Sequence, residues 1–230
     1  MRTFGTEKNY AVWDDQVTAI LLQERTTGIE FPIDPDEVMP RYLKAREEQK
    51  SRTDSKAEVF TPYEIVKEMN DKVQKDFNGS VGDYIKRTVL EVTCGEAPFL
   101  TTRYDAATGV EIPIGNRTGL LDRKLCCIPT VVGKDGYVEC ATAALKSTYG
   151  YEQEYDSLFL ARRNLLMTTI EHYENVWETE PKYDTITNWA SIISYNLIRM
   201  EGVSMCVPDT DIPAMVMNWE SGMVERFDGK

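Results

Sequence analysis

The stretch Leu90-Glu91-Val92-Thr93-Cys94-Gly95-Glu96-Ala97-Pro98-Phe99-Leu100 constrains the fold of this chain most. The apolar, β-branched run Thr88, Val89, Leu90 and Val92 reads as a strand. Cys94-Gly95 reads as a tight turn, and Pro98 as the approach to a helix. Strand, glycine turn and helix start is how an open α/β sheet holds a nucleotide-like ligand. A plain βα turn that needs one glycine explains the same residues.

Around this stretch, short apolar segments alternate with longer helical ones. Residues 13–22, with Val17, Ile20 and Leu21, are spaced for an amphipathic helix. Asp34-Pro35-Asp36-Glu37 has the proline and first-turn acids of a helix start. Thr61-Pro62-Tyr63-Glu64 reads as a capping box before an apolar face of Ile65, Val66 and Met69. Residues 101–119 read as a long loop. Residues 137–148 read as helix, 147–152 as a short strand ending in Glu152, and 156–173 and 183–197 as two apolar helices. Residues 204–207, 214–217 and 224–227 read as extended. The alternation predicts an α/β sheet, partly parallel and flanked by helices. It divides the chain into an N-terminal helical extension, residues 1–56, and a main domain, residues 57–230.

Charge and cysteine usage narrow the function classes. The net charge of −12 argues against indiscriminate nucleic-acid binding, which depends on neutralising phosphates. Residues 41–56 run against the trend, with six Lys or Arg and three acids. That strip is either a solvated helix of mixed charge or a phosphate-contacting face. Five cysteines, with Cys126-Cys127 adjacent, form no even framework and no Cys-x-x-Cys pair, so reduced thiols in a cytoplasmic protein are expected. No apolar run approaches ~18 residues, so no membrane span is expected, and residues 1–5 have no signal-like apolar region. The single histidine, His172, has no cysteine nearby, so no zinc or other metal site is expected. It reads as an exposed helix residue.

Three separated elements then point to one chemistry. Val59-Phe60-Thr61-Pro62 resembles the Phe-Thr-Pro element upstream of the binding turn in S-adenosylmethionine-dependent DNA adenine methyltransferases of the gamma order. Residues 91–100 resemble their Asp-Pro-x-Cys-Gly-x-Gly-x-Phe-Leu turn, with Glu91, Val92 and Ala97 as departures. Gly150-Tyr151-Glu152, followed by Leu160-Ala161-Arg162-Arg163-Asn164-Leu165-Leu166, is similar to their Gly-x-Glu strand end and Ala-Arg-x-Asn-Leu helix. Residues from about 20 onward look like the short bacterial and phage proteins called restriction endonuclease subunit M.

The resemblance implies a Rossmann-like methyltransferase sheet with S-adenosylmethionine as cofactor. It implies that Phe60, Thr61 and Pro62 flank the methionine end. Glu91, Thr93, Cys94, Gly95, Glu96, Ala97 and Phe99 would line the carboxylate and sulfonium region, and Glu152 would take the ribose hydroxyls. Glu201 in Met200-Glu201-Gly202 would meet the cofactor's adenine. The family's Asn-Pro-Pro-Tyr, which receives a flipped adenine, is absent. The nearest counterpart is Met217-Asn218-Trp219-Glu220, where Asn218 would bond the base and Trp219 would stack on it. DNA is the implied partner, reached through a local basic patch or a partner subunit, and a homodimer or a restriction–modification partner is the implied assembly. A catalytically inactive scaffold or an anti-restriction protein of the same descent is the alternative.

Overall fold

The computed structural model describes residues 15–56 and 58–227. Trp13 and residues 1–5, on which two expectations rest, lie outside them. Three parallel strands make the central sheet: β1 (Val89–Glu91), β2 (Thr148–Glu152) and β3 (Leu197–Arg199), side by side in that order. Val89 lies opposite Thr148, and Glu152 opposite Arg199. The link from β1 to β2 carries α5 (Leu120–Cys127) and α6 (Lys134–Lys146). The link from β2 to β3 carries α7 (Tyr155–Trp177) and α8 (Tyr183–Asn196). Parallel neighbours require such crossovers, and the helices bring the apolar faces that bury the sheet.

Before the sheet come α1 (Asp15–Leu22), α2 (Arg46–Lys56), α3 (Tyr63–Lys75) and α4 (Val81–Lys86). Val17, Leu21, Leu22, Phe31 and Val38 lie in the same apolar core as Leu158, Phe159, Trp189 and Ile193. The segment read as an extension therefore shares one core with the rest. Arg162 of α7, fully buried, explains how. Its guanidinium donates to the carbonyls of Leu21 and Gln23 at the end of α1 and to those of Ser194 and Leu197 at the end of α8. Carbonyls at a helix C-terminus lack intrahelical donors, and one cation serves two such ends.

Several local expectations are corrected. The glycine turn does not lead directly into a helix. Ala97 takes a left-handed φ of +61°, and one turn, the bridged 104–111 loop and a 3-10 turn (Ile114–Asn116) follow before the chain reaches α5. The Thr61 capping box does not form. Pro62 is the N-cap, and the Tyr63 N–H is met instead by Asp105 Oδ2 at 3.1 Å. Residues 34–37 form only a turn, and residues 204–207 a turn with isolated bridges. The long loop is pinned by a Tyr104–Glu111 bridge. The 183–197 helix stops at Asn196, and Leu197 opens the third strand of the sheet. The strands read at 214–217 and 224–227 become β4 (Met215–Asn218) and β5 (Met223–Arg226), an antiparallel hairpin outside the parallel sheet. His172 is buried, with Nε2 3.0 Å from Asp122 Oδ1.

Candidate functional site

A cleft of about 780 Å³ opens at the carboxyl ends of β1 and β2. The loops that leave parallel strands on this side are free of ladder pairing, which is why ligands of open α/β sheets collect there. Its floor is Glu91 to Gly95 with Pro98 and Phe99, and one wall is Glu152, Gln153, Glu154 and Ser157. The facing wall is Asp54, Ser55, Lys56, Glu58, Val59, Phe60 and Thr61, and Met200 and Gly202 close one side. Stretches far apart in sequence thus meet because β1 and β2 are neighbours and the segment before α3 lies over both. The volume is in the range of small-molecule sites.

Glu152 joins the two turns. Its Oε2 accepts the Gly95 N–H at 2.7 Å, and its Oε1 accepts the N–H groups of Gln153 at 2.7 Å and Glu154 at 3.0 Å. Burial raises its pKa above the usual carboxylate value, and these N–H groups oppose the rise. Gly95 has φ +55°, and a Cβ there would stand 3.4 Å from the Phe60 ring. The positive φ is what requires the glycine, since a Cβ would meet that ring only at ordinary contact distance.

Glu91 braces the turn from beneath. Its oxygens accept the N–H groups of Phe99 at 3.2 Å and Leu100 at 3.1 Å. Burial nevertheless drives its pKa up to about 8. Glu96 also faces inward. It accepts the Arg41 N–H at 2.7 Å and the Tyr104 hydroxyl at 2.6 Å, and burial pushes it up to about 7.

These two carboxyls set a pH dependence. Their folded pKa values lie above the ordinary 4.5, so the fold holds protons that the unfolded chain releases. Their stabilisation is complete below pH 4.5 and is lost as pH rises through 7 and 8. Lys124, held down to about 7 by burial, acts with the opposite sign, restoring stability only above pH 7. The urea midpoint is therefore expected to fall between about pH 5 and 7, by the equivalent of ~1–3 kcal/mol, and to fall less in Glu91→Gln. A midpoint that is flat or rising across that window sinks this account.

Thr93, which also lines the cleft, holds φ +47°, a costly conformation for a β-branched residue. Its side chain is exposed, so little packing is lost on removing it. Thr93→Gly is expected to stabilise the fold by ~1 kcal/mol, a rise in Tm of about 2–4 °C. A fall in Tm would show that the threonine makes a stabilising contact outweighing its strain.

Of the residues singled out in the sequence, Phe60, Thr61, Glu91, Thr93, Cys94, Gly95, Phe99 and Glu152 come together around the cleft. Pro62 lies just past its edge as the N-cap of α3. Ala97 is fully buried behind the turn, and Glu96 points away into its own bonds. Glu201 is not in the lining. Its carboxylate accepts the N–H groups of Val203 and Ser204 in its own turn. Asn218 and Trp219 are not brought to the cleft either. Asn218 Oδ1 accepts the N–H groups of Glu220 and Ser221 in the β4–β5 turn. Trp219 Nε1 donates to Asn196 Oδ1 at 2.7 Å, and Asn196 donates to the Thr148 carbonyl at the start of β2. That is the amino end of the sheet, a strand length, ~13 Å, from the cleft.

The 41–56 strip also differs from a phosphate-contacting face. Arg41 and Arg52 pair with Glu58, Lys44 and Arg52 with Asp156, and Lys56 with Glu154. Four of its six cations are thus engaged within the chain. Asp54, Ser55, Lys56, Gln153, Glu154 and Ser157 join the cleft without having been singled out. Only the strip's charge pattern and the closeness of 153–157 to Glu152 hinted at them. Among the described residues, no group of three or more His, Cys, Asp or Glu is placed to hold a metal ion, and no helix is long and apolar enough to cross a membrane. No family model, curated protein or solved structure matches the chain.

Proposed function

We propose that the chain binds S-adenosylmethionine in this cleft and serves as the modification subunit of a DNA adenine N6-methyltransferase, on a Rossmann-like sheet and in the cytoplasm. The observation that carries the reading is Glu152, set at the carboxyl end of β2 and bonded to the turn after β1. An acid there, beside a glycine turn, is suited to a ribose. The lining supports the choice among nucleoside ligands. It holds Asp54, Glu58, Glu152 and Glu154, with Glu91 largely protonated at neutral pH, but only Lys56 as a cation, and Lys56 is paired with Glu154. Such a cleft disfavours a pyrophosphate and suits a ligand bearing a sulfonium and an ammonium group. Phe60 and Phe99 offer apolar surface beside the turn.

In this reading Glu152 holds the ribose hydroxyls, the 93–95 turn orients the amino-acid end, and Phe60 shields the sulfur from water. Bound S-adenosylmethionine supplies an electrophilic methyl group, and the chain supplies orientation and charge placement. DNA is reached through a partner subunit, since the basic strip is largely spent on internal pairs.

The position of Asn218 and Trp219 favours a second reading, a cofactor-binding scaffold or anti-restriction protein without transfer activity. Calorimetry with S-adenosylmethionine, followed by transfer of tritiated methyl to DNA, separates the two. Binding with labelled DNA supports the subunit. Binding without label in any DNA supports the scaffold. No measurable binding overturns both and leaves an interaction protein that needs no cofactor.

A further inference from the structure

α2 differs from every other described α-helix in burying no residue. Nothing apolar holds it, yet its last turn, Asp54, Ser55 and Lys56, forms part of the cleft wall. Its attachments are polar. Arg52 Nη1 lies 2.9 Å from Asp156 Oδ2, and Lys44 Nζ, just before the helix, lies 2.7 Å from the same oxygen. Arg52 Nε reaches Glu58 Oε2 at 2.5 Å, and the Thr53 hydroxyl donates to the Glu58 carbonyl at 3.0 Å. Lys56 pairs with Glu154 on the opposite wall. Glu154 and Asp156 belong to the start of α7, the longest and most buried helix, which makes a fixed post.

We propose that α2 is a removable wall of the cleft, that Asp156 is the positioning residue that shuts it, and that ionic screening opens it. The proposal rests on the cleft being the ligand site, but the latch itself operates without ligand. The physical reason is the kind of contact. The latch pairs are partly buried, with side chains 8–37 % exposed, so each loses part of its strength as the screening length shrinks from ~10 Å at 0.1 M salt to ~3 Å at 1 M, the more exposed Lys56–Glu154 pair most. Apolar burial, which holds α7 and α8, does not weaken in this way. An element without apolar contacts therefore opens below global unfolding and does so more readily in salt. Asp156 carries two of the latching cations. Burial alone would raise its pKa, but the bonds from Lys44 and Arg52 prevail and hold it down to about 2, so the latch stays charged at neutral pH.

Native-state hydrogen exchange on the full chain, read by mass spectrometry in 0.05 M and 1 M NaCl, is the test. Amides of α2 are expected to exchange on the order of 10-fold faster in high salt while those of α7 are unchanged. Asp156→Asn is expected to give the fast rate already at low salt, with little further salt effect. Since Asp156 also begins α7, the α7 amides of this variant report whether that helix has loosened. A second variant, Arg52→Gln, breaks the same latch from the α2 side. Equal α2 protection at both salts, or α2 protection unchanged in both variants, overturns the proposal. Adding S-adenosylmethionine is a separate arm. If the ligand slows α2 exchange in high salt, the wall closes over it and both readings gain. If salt opens α2 but the ligand has no effect, the latch stands and the ligand assignment fails.

Discussion

Replacing Arg162 by alanine is expected to lower stability by ~3–5 kcal/mol, the range for breaking a buried ion pair by removing one partner. The side chain is fully buried, and its guanidinium meets the carbonyls of Leu21, Gln23, Ser194 and Leu197. It also reaches Glu24 Oε2 at 3.2 Å and lies over the Phe31 ring at 4.7 Å. Its loss strands the last carbonyls of two helices and a buried carboxyl together. Glu24 already has a raised pKa, because burial outweighs the pull of Arg162, and it would have to take a proton. Arg162→Lys keeps the charge but not the planar fork, so it should recover only part of the loss. Thermal and urea unfolding give the measurement, with a fall in Tm of about 6–20 °C expected. A loss below ~1 kcal/mol in Arg162→Ala would mean that the three segments hold together without it.

The second large effect concerns binding. Glu152→Ala is expected to weaken binding of S-adenosylmethionine by ~100-fold or more, from loss of two hydrogen bonds to a charged acceptor. A carboxylate offers about four lone-pair sites. Gly95, Gln153 and Glu154 already use three of them. Two ribose hydroxyls therefore need one N–H released, and that of Gly95 lies nearest the turn that would orient the ligand. Glu152→Gln keeps one acceptor oxygen and should bind with an intermediate loss, ~10-fold. Stability should change little in either variant, since the Gln153 N–H is exposed and those of Gly95 and Glu154 are only part-buried. If Glu152→Ala binds within about threefold of the unaltered chain, the acid does not hold the ribose.

Much of the cleft was legible in the sequence because it depends on local chemistry. The β-branched residues before Cys94-Gly95 favour a strand, and the glycine accepts the left-handed turn that follows it. Gly150-Tyr151-Glu152 ends its strand with the acid on the same side. The meeting of Phe60 with Gly95 followed from the order of elements, since β1 and β2 are parallel and the segment before α3 lies over their ends. The failures have one cause, partners distant in sequence. Thr61 lost its cap because Asp105, in the long loop, took the first N–H of α3. Glu96 and Glu201 looked like ligand contacts but are used up by Tyr104 and by their own turn. His172 looked exposed on its helix because Asp122, fifty residues away, gave no local sign. The third strand was hidden inside an apolar run that reads equally well as helix. It became strand where Arg162 holds the Ser194 and Leu197 carbonyls.

The sequence alone determined the turn, its glycine, the acid after the second strand and the alternation that makes an α/β sheet. Those are properties of short segments, set by backbone sterics and residue type. Only the tertiary structure decided that Lys44, Arg52 and Lys56 of the strip at 41–56 turn to Asp156 and Glu154, while α2 itself buries no residue. It alone put Asn218 and Trp219 at the amino end of the sheet. A charge or an aromatic ring has no fixed role until its neighbours are known, because its energy depends on what it meets and on how far water is excluded. Backbone conformation at Gly95 needs no such partner, and for that reason it could be read first.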